Sequence, residues 1–257
     1  MVRGLYTAWT GMAAEQKRLD IISNNLANAS TIAYKKDGIT NQTFADVYTM
    51  KIKDQTQSHP IKNIGSMSLG VKLGETYTDY MQGSLRETGN SIDSAIEGYG
   101  FFAINRIDDN GNSEICYTRA GSFIQDQEGN VVDEHGNSLL GRNGAITIPV
   151  GTSELAVSTD GYLYADGMII DQVMIQDFED YQSLETLGDS MYRALDNSVL
   201  RQSNSMIHQG FIEQSNVNVV SEMVQMIAIT RAYEANQKAI KTIDGTLDLA
   251  ANSIGRI

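Results

Sequence analysis

Three histidines, one cysteine and several paired carboxylates are the groups in this 257-residue chain that could do chemistry, and their spacing argues against each use. His59, His135 and His208 stand more than 70 residues apart with no second His or Cys at ligand spacing, so no zinc donor set exists. Cys116, in Glu114-Ile115-Cys116-Tyr117-Thr118, reads as one residue of a strand and has no activating base near it in sequence. As the single cysteine it forms no internal disulfide. Gly98-Tyr99-Gly100-Phe101-Phe102-Ala103 matches G-x-G-x-x-A, but a dinucleotide loop must open a helix, and Phe-Phe-Ala-Ile reads as strand. The acidic runs at Asp108 and Asp126 lack the glycine at loop position 6, and Arg119 and Asn137 stand where a calcium loop needs its bidentate Glu. Asp108/Asp109, Asp133/Glu134 and Glu179/Asp180 lie beside turns, as a solvated acidic face does. There is no G-x-S-x-G elbow and no P-loop. The residues point to no catalytic, cofactor or metal site.

One polar cluster stands out. Ser23-Asn24-Asn25-Leu26-Ala27-Asn28-Ala29-Ser30-Thr31 places three weak helix formers, Asn24, Asn25 and Asn28, at the end of an otherwise good helix. Two readings fit. Asn28 and Ser30 compete for backbone bonds and stop the helix, or the amides fix register with neighbouring chains, as buried Asn does in coiled coils.

The elements around this cluster divide the chain by composition. Residues 1–50 carry a net charge of +1 and residues 217–257 a net of 0, whereas 51–216 carry −14, summing to −13. Of 23 glycines, 18 fall in that acidic centre. A net charge of −13 repels polyanions, which argues against nucleic acid as a partner. No run approaches the roughly 18 apolar residues of a membrane span, and the polar, glycine-containing N-terminus lacks the apolar stretch of a signal peptide. With 41% hydrophobic but only 7% aromatic residues, the expected core is built from modest side chains.

Val219, Met226, Tyr233, Ile240, Leu247 and Ile254 recur every seven residues, with Ile229, Ile243 and Ala250 at +3 and Glu222 and Asn236 as breaks. The period predicts a helix of about 35 residues packed on another helix. Leu5, Trp9, Met12, Leu19, Ile22, Leu26 and Ala29 follow spacings of three, four and seven, with Gln16 the polar exception, predicting a partner helix over about 4–28. Between the ends, Asn110-Gly111, Gly129-Asn130, Gly136-Asn137, Asn143-Gly144, Asp160-Gly161 and Asp166-Gly167 separate short apolar runs, as in an antiparallel sheet or small barrel. Residues 41–75 have no clear period. The expected fold is α+β: terminal helices over 1–40 and 212–257 pairing as a coiled coil, an extended connection over 41–78, and a central antiparallel β-rich domain over 79–211.

This arrangement resembles the bacterial flagellar basal-body rod protein family. The resemblance rests on Ser23 to Thr31 with Tyr34-Lys35, Gly98-Tyr99-Gly100-Phe101-Phe102, Tyr117-Thr118-Arg119-Ala120-Gly121-Ser122-Phe123, Gly129-Asn130-Val131-Val132, Gln214-Ser215-Asn216-Val217-Asn218-Val219, and Arg231-Ala232-Tyr233-Glu234-Ala235-Asn236-Gln237-Lys238. It implies a coiled-coil inner domain lining a central channel and a β domain outside it. It also implies helical self-assembly into a hollow, torque-transmitting drive shaft, and export through the flagellar apparatus without a cleaved leader. Neighbouring rod and hook proteins, the export apparatus and bushing rings are the implied partners. Length, the Gly-x-Gly-Phe-Phe motif and residues 41–75 look most like the distal branch, with the proximal branch or a hook-type axial protein next. The family usually carries Gly near position 33; Ile32-Ala33 here predicts a less sharply turned loop. The expected subunit interface is Leu5, Trp9, Met12, Leu19, Ile22, Asn24, Asn25, Leu26, Asn28, Val219, Met226, Tyr233, Ile240, Leu247 and Ile254. Two other classes compete: a cell-wall glycan hydrolase using a carboxylate pair about 5–10 Å apart, and a helical-hairpin adaptor that stays discrete.

Overall fold

A computed structural model describes the chain except Met1 and residues 45–46, 51–62, 68–69, 108–110, 150, 153, 202, 204 and 255–257; residues 2–3, 47–50, 63–67 and 253–254 are described by their backbone alone. His59 and Pro60, the Asp108/Asp109 pair and the side chain of Ile254 therefore lie outside the described residues. Two compact units emerge: a helical unit of Met1–Leu26, Asp37–Tyr77 and Val219–Ile257, and a β unit of Ala27–Lys36 and Thr78–Asn218.

In the helical unit, α1 spans Val2–Ala27 and α2 spans Val219–Leu249, the latter followed by a π-helical turn over Ala250–Ile254. At 1.5 Å per residue, the 31 residues of α2 run roughly 46 Å. The helices lie side by side and antiparallel. A Cβ built on Gly4 would stand 3.4 Å from Ile243 Cδ1, and one on Gly11 3.1 Å from Asn236 Nδ2, so a seven-residue step up one helix is a seven-residue step down the other. The region without period is not irregular throughout: β1 (Lys36–Thr43) pairs with β4 (Val71–Asp79), and β2 (Val47–Met50) with β3 (Asn63–Met67). Its strands escape notice in the sequence because both faces stay wet, with exposed or half-exposed positions along β1 and β4 and no apolar alternation.

The β unit holds β5 (Leu85–Glu87), β6 (Ser94–Glu97), β7 (Phe101–Ile107), β8 (Ser113–Thr118), β9 (Ile124–Gln125), β10 (Val131–Val132), β11 (Ser138–Gly141), β12 (Gly144–Ala145), β13 (Leu155–Val157), β14 (Tyr162–Ala165), β15 (Met168–Gln172), β16 (Ile175–Phe178), β17 (Leu184–Gly188), β18 (Met191–Ala194), β19 (Leu200–Arg201), β20 (Met206–Gln209) and β21 (Phe211–Glu213). Its main sheet runs β17-β18-β8-β7-β11-β10-β9, with β16 bonded to β7 and β19. The paired strands are antiparallel throughout. The predicted turn glycines all have positive φ; Asp166 (φ 47°) and Gly167 (φ 80°) together close the β14–β15 hairpin, the left-handed pair such a two-residue turn needs.

β7 explains the run Phe101-Phe102-Ala103-Ile104. Successive strand side chains point to opposite faces, and both faces of β7 are covered. Phe102 and Ile104 enter a core with Ile96, Cys116, Phe123, Leu139 and Ile207. Phe101 and Ala103 enter a second with Tyr117, Phe178, Leu184 and Tyr192. That second core corrects the composition-based expectation of modest side chains. The few aromatic residues are concentrated rather than spread: Phe101 lies within 5.5–6.1 Å, ring centre to ring centre, of Tyr80, Phe178, Tyr181 and Tyr192. Tyr181 donates to Asp177 Oδ1 at 2.7 Å, and burial followed by that bond pushes its phenol well above the usual range. Gly100 precedes β7 because a Cβ there would meet Ile175 Cγ2 at 2.8 Å.

Candidate assembly surface and buried charge cluster

The predicted stripe on α2 faces inward only in part. Ile229 is buried, Met226, Tyr233, Ile240 and Leu247 are half-buried, and Val219 is exposed. On α1, Ile22 is buried, Leu5, Met12, Leu19 and Leu26 are half-buried, and Trp9 is 55% exposed, with Tyr6 open beside it. Two helices side by side cover one seam and leave the flanks wet.

A second stripe lies outside that seam. Val220, Met223, Val224 and Ile227 sit at i, i+3, i+4 and i+7, one face of a helix, and are 72%, 48%, 62% and 54% exposed. The seven-residue reading passes over them because it follows one line of side chains. The i, i+3, i+4, i+7 spacing is a signal the sequence carries.

The three asparagines separate. Asn24 is exposed and Asn28 half-buried, with Thr31 donating to both the Asn28 carbonyl and its side-chain oxygen. Asn25 is fully buried and its amide is engaged within the chain: Nδ2 donates to the Asp37 carbonyl at 2.9 Å and Oδ1 accepts from the Asp37 N–H at 3.0 Å. A primary amide carries donor and acceptor at the spacing of a peptide group, so Asn25 pairs with backbone as another strand would. The helix register brings Asn25 level with Glu222, which is also fully buried, in the first turn of α2, where the dipole favours an anion. In the β unit, Asn216 repeats the device. Its Oδ1 accepts from the Lys36 N–H at 2.8 Å, and Nδ2 donates to the Asp79 carbonyl at 2.7 Å.

Beside Asn216 lies a fully buried ion cluster whose centre, Glu213, the sequence did not flag. Lys35 Nζ meets Glu213 Oε1 at 2.5 Å and donates to the Met81 carbonyl at 2.8 Å. Arg119 Nη1 meets Glu213 Oε2 at 3.1 Å, and Nη2 donates to the Gly98 carbonyl at 2.6 Å. The Gly83 N–H donates to Glu213 Oε1 at 2.9 Å. Gly83 is there because a Cβ would stand 1.9 Å from the Gln214 carbonyl oxygen. Burial lowers the Lys35 pKa against the opposing pull of Glu213. The partners lie 94 and 178 residues from Glu213, so no local pattern could reveal them.

Ala33, whose N–H donates to the Glu213 carbonyl at 2.9 Å, is buried with φ 55°. This corrects the expected relaxed loop: alanine takes the left-handed conformation, at a cost of about 1–2 kcal/mol.

The remaining candidate groups are structural. Cys116 is buried in β8, which raises its thiol pKa. Asp133 is not part of a solvated face: it is buried, accepting from the N–H groups of His135 and Asn137 and from the Asn137 amide, each at 2.8 Å. Asp180 caps the 3-10 turn Tyr181–Ser183. His135 lies 3.7 Å from Asp189, and His208 pairs with Glu97 elsewhere. Among the described residues, no group of three or more His, Cys, Asp or Glu side chains could hold a metal ion.

Three family models match in chain order: "Flagella basal body rod protein" over residues 5–35, "Flagellar hook protein FlgE/F/G D1 domain" over 95–165, and "Flagellar basal body rod FlgEFG protein C-terminal" over 208–253. The flagellar basal-body rod protein FlgG of Buchnera aphidicola subsp. Schizaphis graminum is 33% identical, over 96% of this chain and 98% of its own length. The chain belongs to the flagellar basal-body rod protein family. FlgG of Bacillus subtilis is 31% identical over 98% of this chain and 99% of its own, and FlgF of Caulobacter vibrioides 30% over 100% and 98%. In this rod-family chain, the matched terminal segments contain most of α1 and all of α2, and the central match contains β7 with β8 and β11. No helix among the described residues is long and apolar enough to cross a membrane.

Proposed function

We propose that this structural rod subunit polymerises through its helical unit, with the stripe Val220, Met223, Val224 and Ile227 seated on neighbouring copies. The observation that carries this is the exposure of four large apolar side chains on one helical face, while α1 occupies another face of the same helix. Covering a side chain of this size contributes about 1.5–3 kcal/mol, so ordered stacking is favoured only when sister molecules supply the cover. The half-buried seam of Leu5, Met12, Leu19, Met226, Tyr233, Ile240 and Leu247 pairs α1 with α2, and Trp9, Asn24 and Val219 join the outward contacts. Family membership supports an inner coiled coil around a channel, a hollow shaft carrying torque to the hook, and contacts with neighbouring rod and hook proteins. Passage through the export apparatus without a cleaved leader and rotation within bushing rings belong to the same reading. Full-length similarity to FlgG favours the distal rod over the proximal one.

Electron microscopy of concentrated full-length protein tests the proposal. Straight hollow filaments are expected from the wild type, and none from Val224→Asp/Ile227→Asp at equal concentration. Filaments formed equally well by that variant would overturn it.

A further inference from the structure

Charge is distributed unevenly within the β unit. Residues 79–216 contain 22 acidic side chains, six arginines and no lysine. Among so many carboxylates an arginine should find a partner, and two do: Arg119 with Glu213, and Arg193 with Glu185 and Glu114. Arg142 and Arg201 have no ion pair among the described residues, yet both are exposed and line one groove of about 520 Å³. Its other polar groups include Gln172 and Gln176, with Ser203 and Ser205 at 2.6 Å from each other. Asp160 is its one carboxylate, leaving a local excess of positive charge. The two arginines share the groove because Arg142 follows β11, next to the Gly141–Val173 bridge, while Arg201 on β19 stands opposite Asp177 of β16 in the backbone register.

A groove of the opposite character, about 500 Å³, lies across β7. Phe102 has Ile175, of the arginine groove, on one side and Thr118, of the second groove, on the other. Those flanking strands are about 10 Å apart, two strand spacings. The second groove carries the exposed Glu134 and Asp189 on two turns, with Ser122 donating to Glu134 at 3.0 Å and His135 3.7 Å from Asp189. One compact unit thus carries a cationic groove and an acidic one on opposite sides of a single strand. Two different patches of opposite charge match each other rather than themselves, so a contact between them is heterologous and builds an open helix wherever its rotation does not close a ring.

We infer that the Arg142/Arg201 groove is a lateral docking site for the acidic turns bearing Glu134 and Asp189 of a second copy of this chain. Guanidinium groups, held on separate strands, take carboxylates with fixed geometry, which sets the angular step between neighbouring β units. The inference rests on the polymer reading above and concerns a different surface.

Sedimentation of full-length protein separates the two. Arg142→Glu/Arg201→Glu should raise the critical concentration for assembly at least about tenfold, since like charges then face each other. Glu134→Arg/Asp189→Arg should do the same, and the variant carrying all four changes should return to within about threefold of wild type. An unchanged critical concentration in the first variant, or no recovery in the fourfold one, overturns the docking site. A wild type that never assembles overturns the polymer reading instead. All four side chains are exposed, so the β unit should melt close to wild type, lowered at most by the left-handed strain of an arginine at φ 51° in place of Asp189. If a reversal variant does not, Arg142→Gln/Arg201→Gln takes its place. Glu134→Cys/Arg201→Cys should yield a covalent ladder on oxidation of assembled protein, and monomer alone would count against the contact.

Discussion

The two units of this molecule solve burial differently. In the β unit, β7 has a closed core on each face, and Phe101, Phe102, Ala103 and Ile104 are all 0–1% exposed. In the helical unit, α1 and α2 bury Ala14, Ile22 and Ile229 but leave Trp9, Val220, Val224 and Ile227 more than half exposed. A strand bonded on both edges and covered on both faces is complete in one chain. Two helices form only one seam, and each has a perimeter wide enough for more neighbours. The division between a self-sufficient unit and an unfinished one is what a polymer subunit needs.

The sharpest way to break this comparison is to damage one unit and watch the other. Val224→Asp/Ile227→Asp should abolish filaments while shifting the stability of the monomer by less than about 0.5 kcal/mol; a large loss of monomer stability would mean that the stripe is covered within the chain. Glu213→Leu should act in reverse. It leaves Lys35 and Arg119 buried without their counter-charge, at a cost of about 3–5 kcal/mol. Near-UV circular dichroism of the β-unit aromatics should show melting lowered by many degrees, and a drop under about 1 kcal/mol would remove the cluster from the account. Gly83→Ala, which drives a methyl against the Gln214 carbonyl, should cost about 1–3 kcal/mol by denaturant titration.

Smaller effects sharpen the picture. The folded protein holds the Lys35 proton less tightly than the unfolded chain, whose lysine keeps the ordinary 10.5. As pH rises towards that value the unfolded state therefore binds more protons, and the stability difference between wild type and Lys35→Met should move in favour of wild type. Parallel pH profiles for the two proteins would show that the lysine is not held against its burial. Ala33→Gly should gain up to about 1 kcal/mol, the left-handed strain relieved less the buried methyl lost. A clear loss would show that the alanine methyl matters more to packing than its φ costs.

Much of the fold is legible in the order of the residues alone. The helices at both ends carry spacings of three, four and seven, the turn glycines carry turn chemistry, and β7 carries an unbroken apolar run, all properties of residues near each other in sequence. The strands β1 and β4 are not legible in this way, because wet strands have no alternation to betray them. Nor is Glu213, because a lone acid after Phe211 and Ile212 looks the same whether its charge meets water or two cations.

By itself, the sequence determined that the ends are helical and sticky, that the centre is an acidic, turn-rich β structure, and that the chain is a rod-family subunit. These follow from neighbours along the chain and from motifs in order. Only the tertiary structure decided that Asn25 clasps Asp37 within the chain, that Lys35, Arg119 and Glu213 share one dry site, that Val220 to Ile227 form the open face, and that Arg142 and Arg201 line one groove. Each of these depends on which side of an element faces inward and on contacts between residues far apart in sequence, and both are settled only when the elements pack.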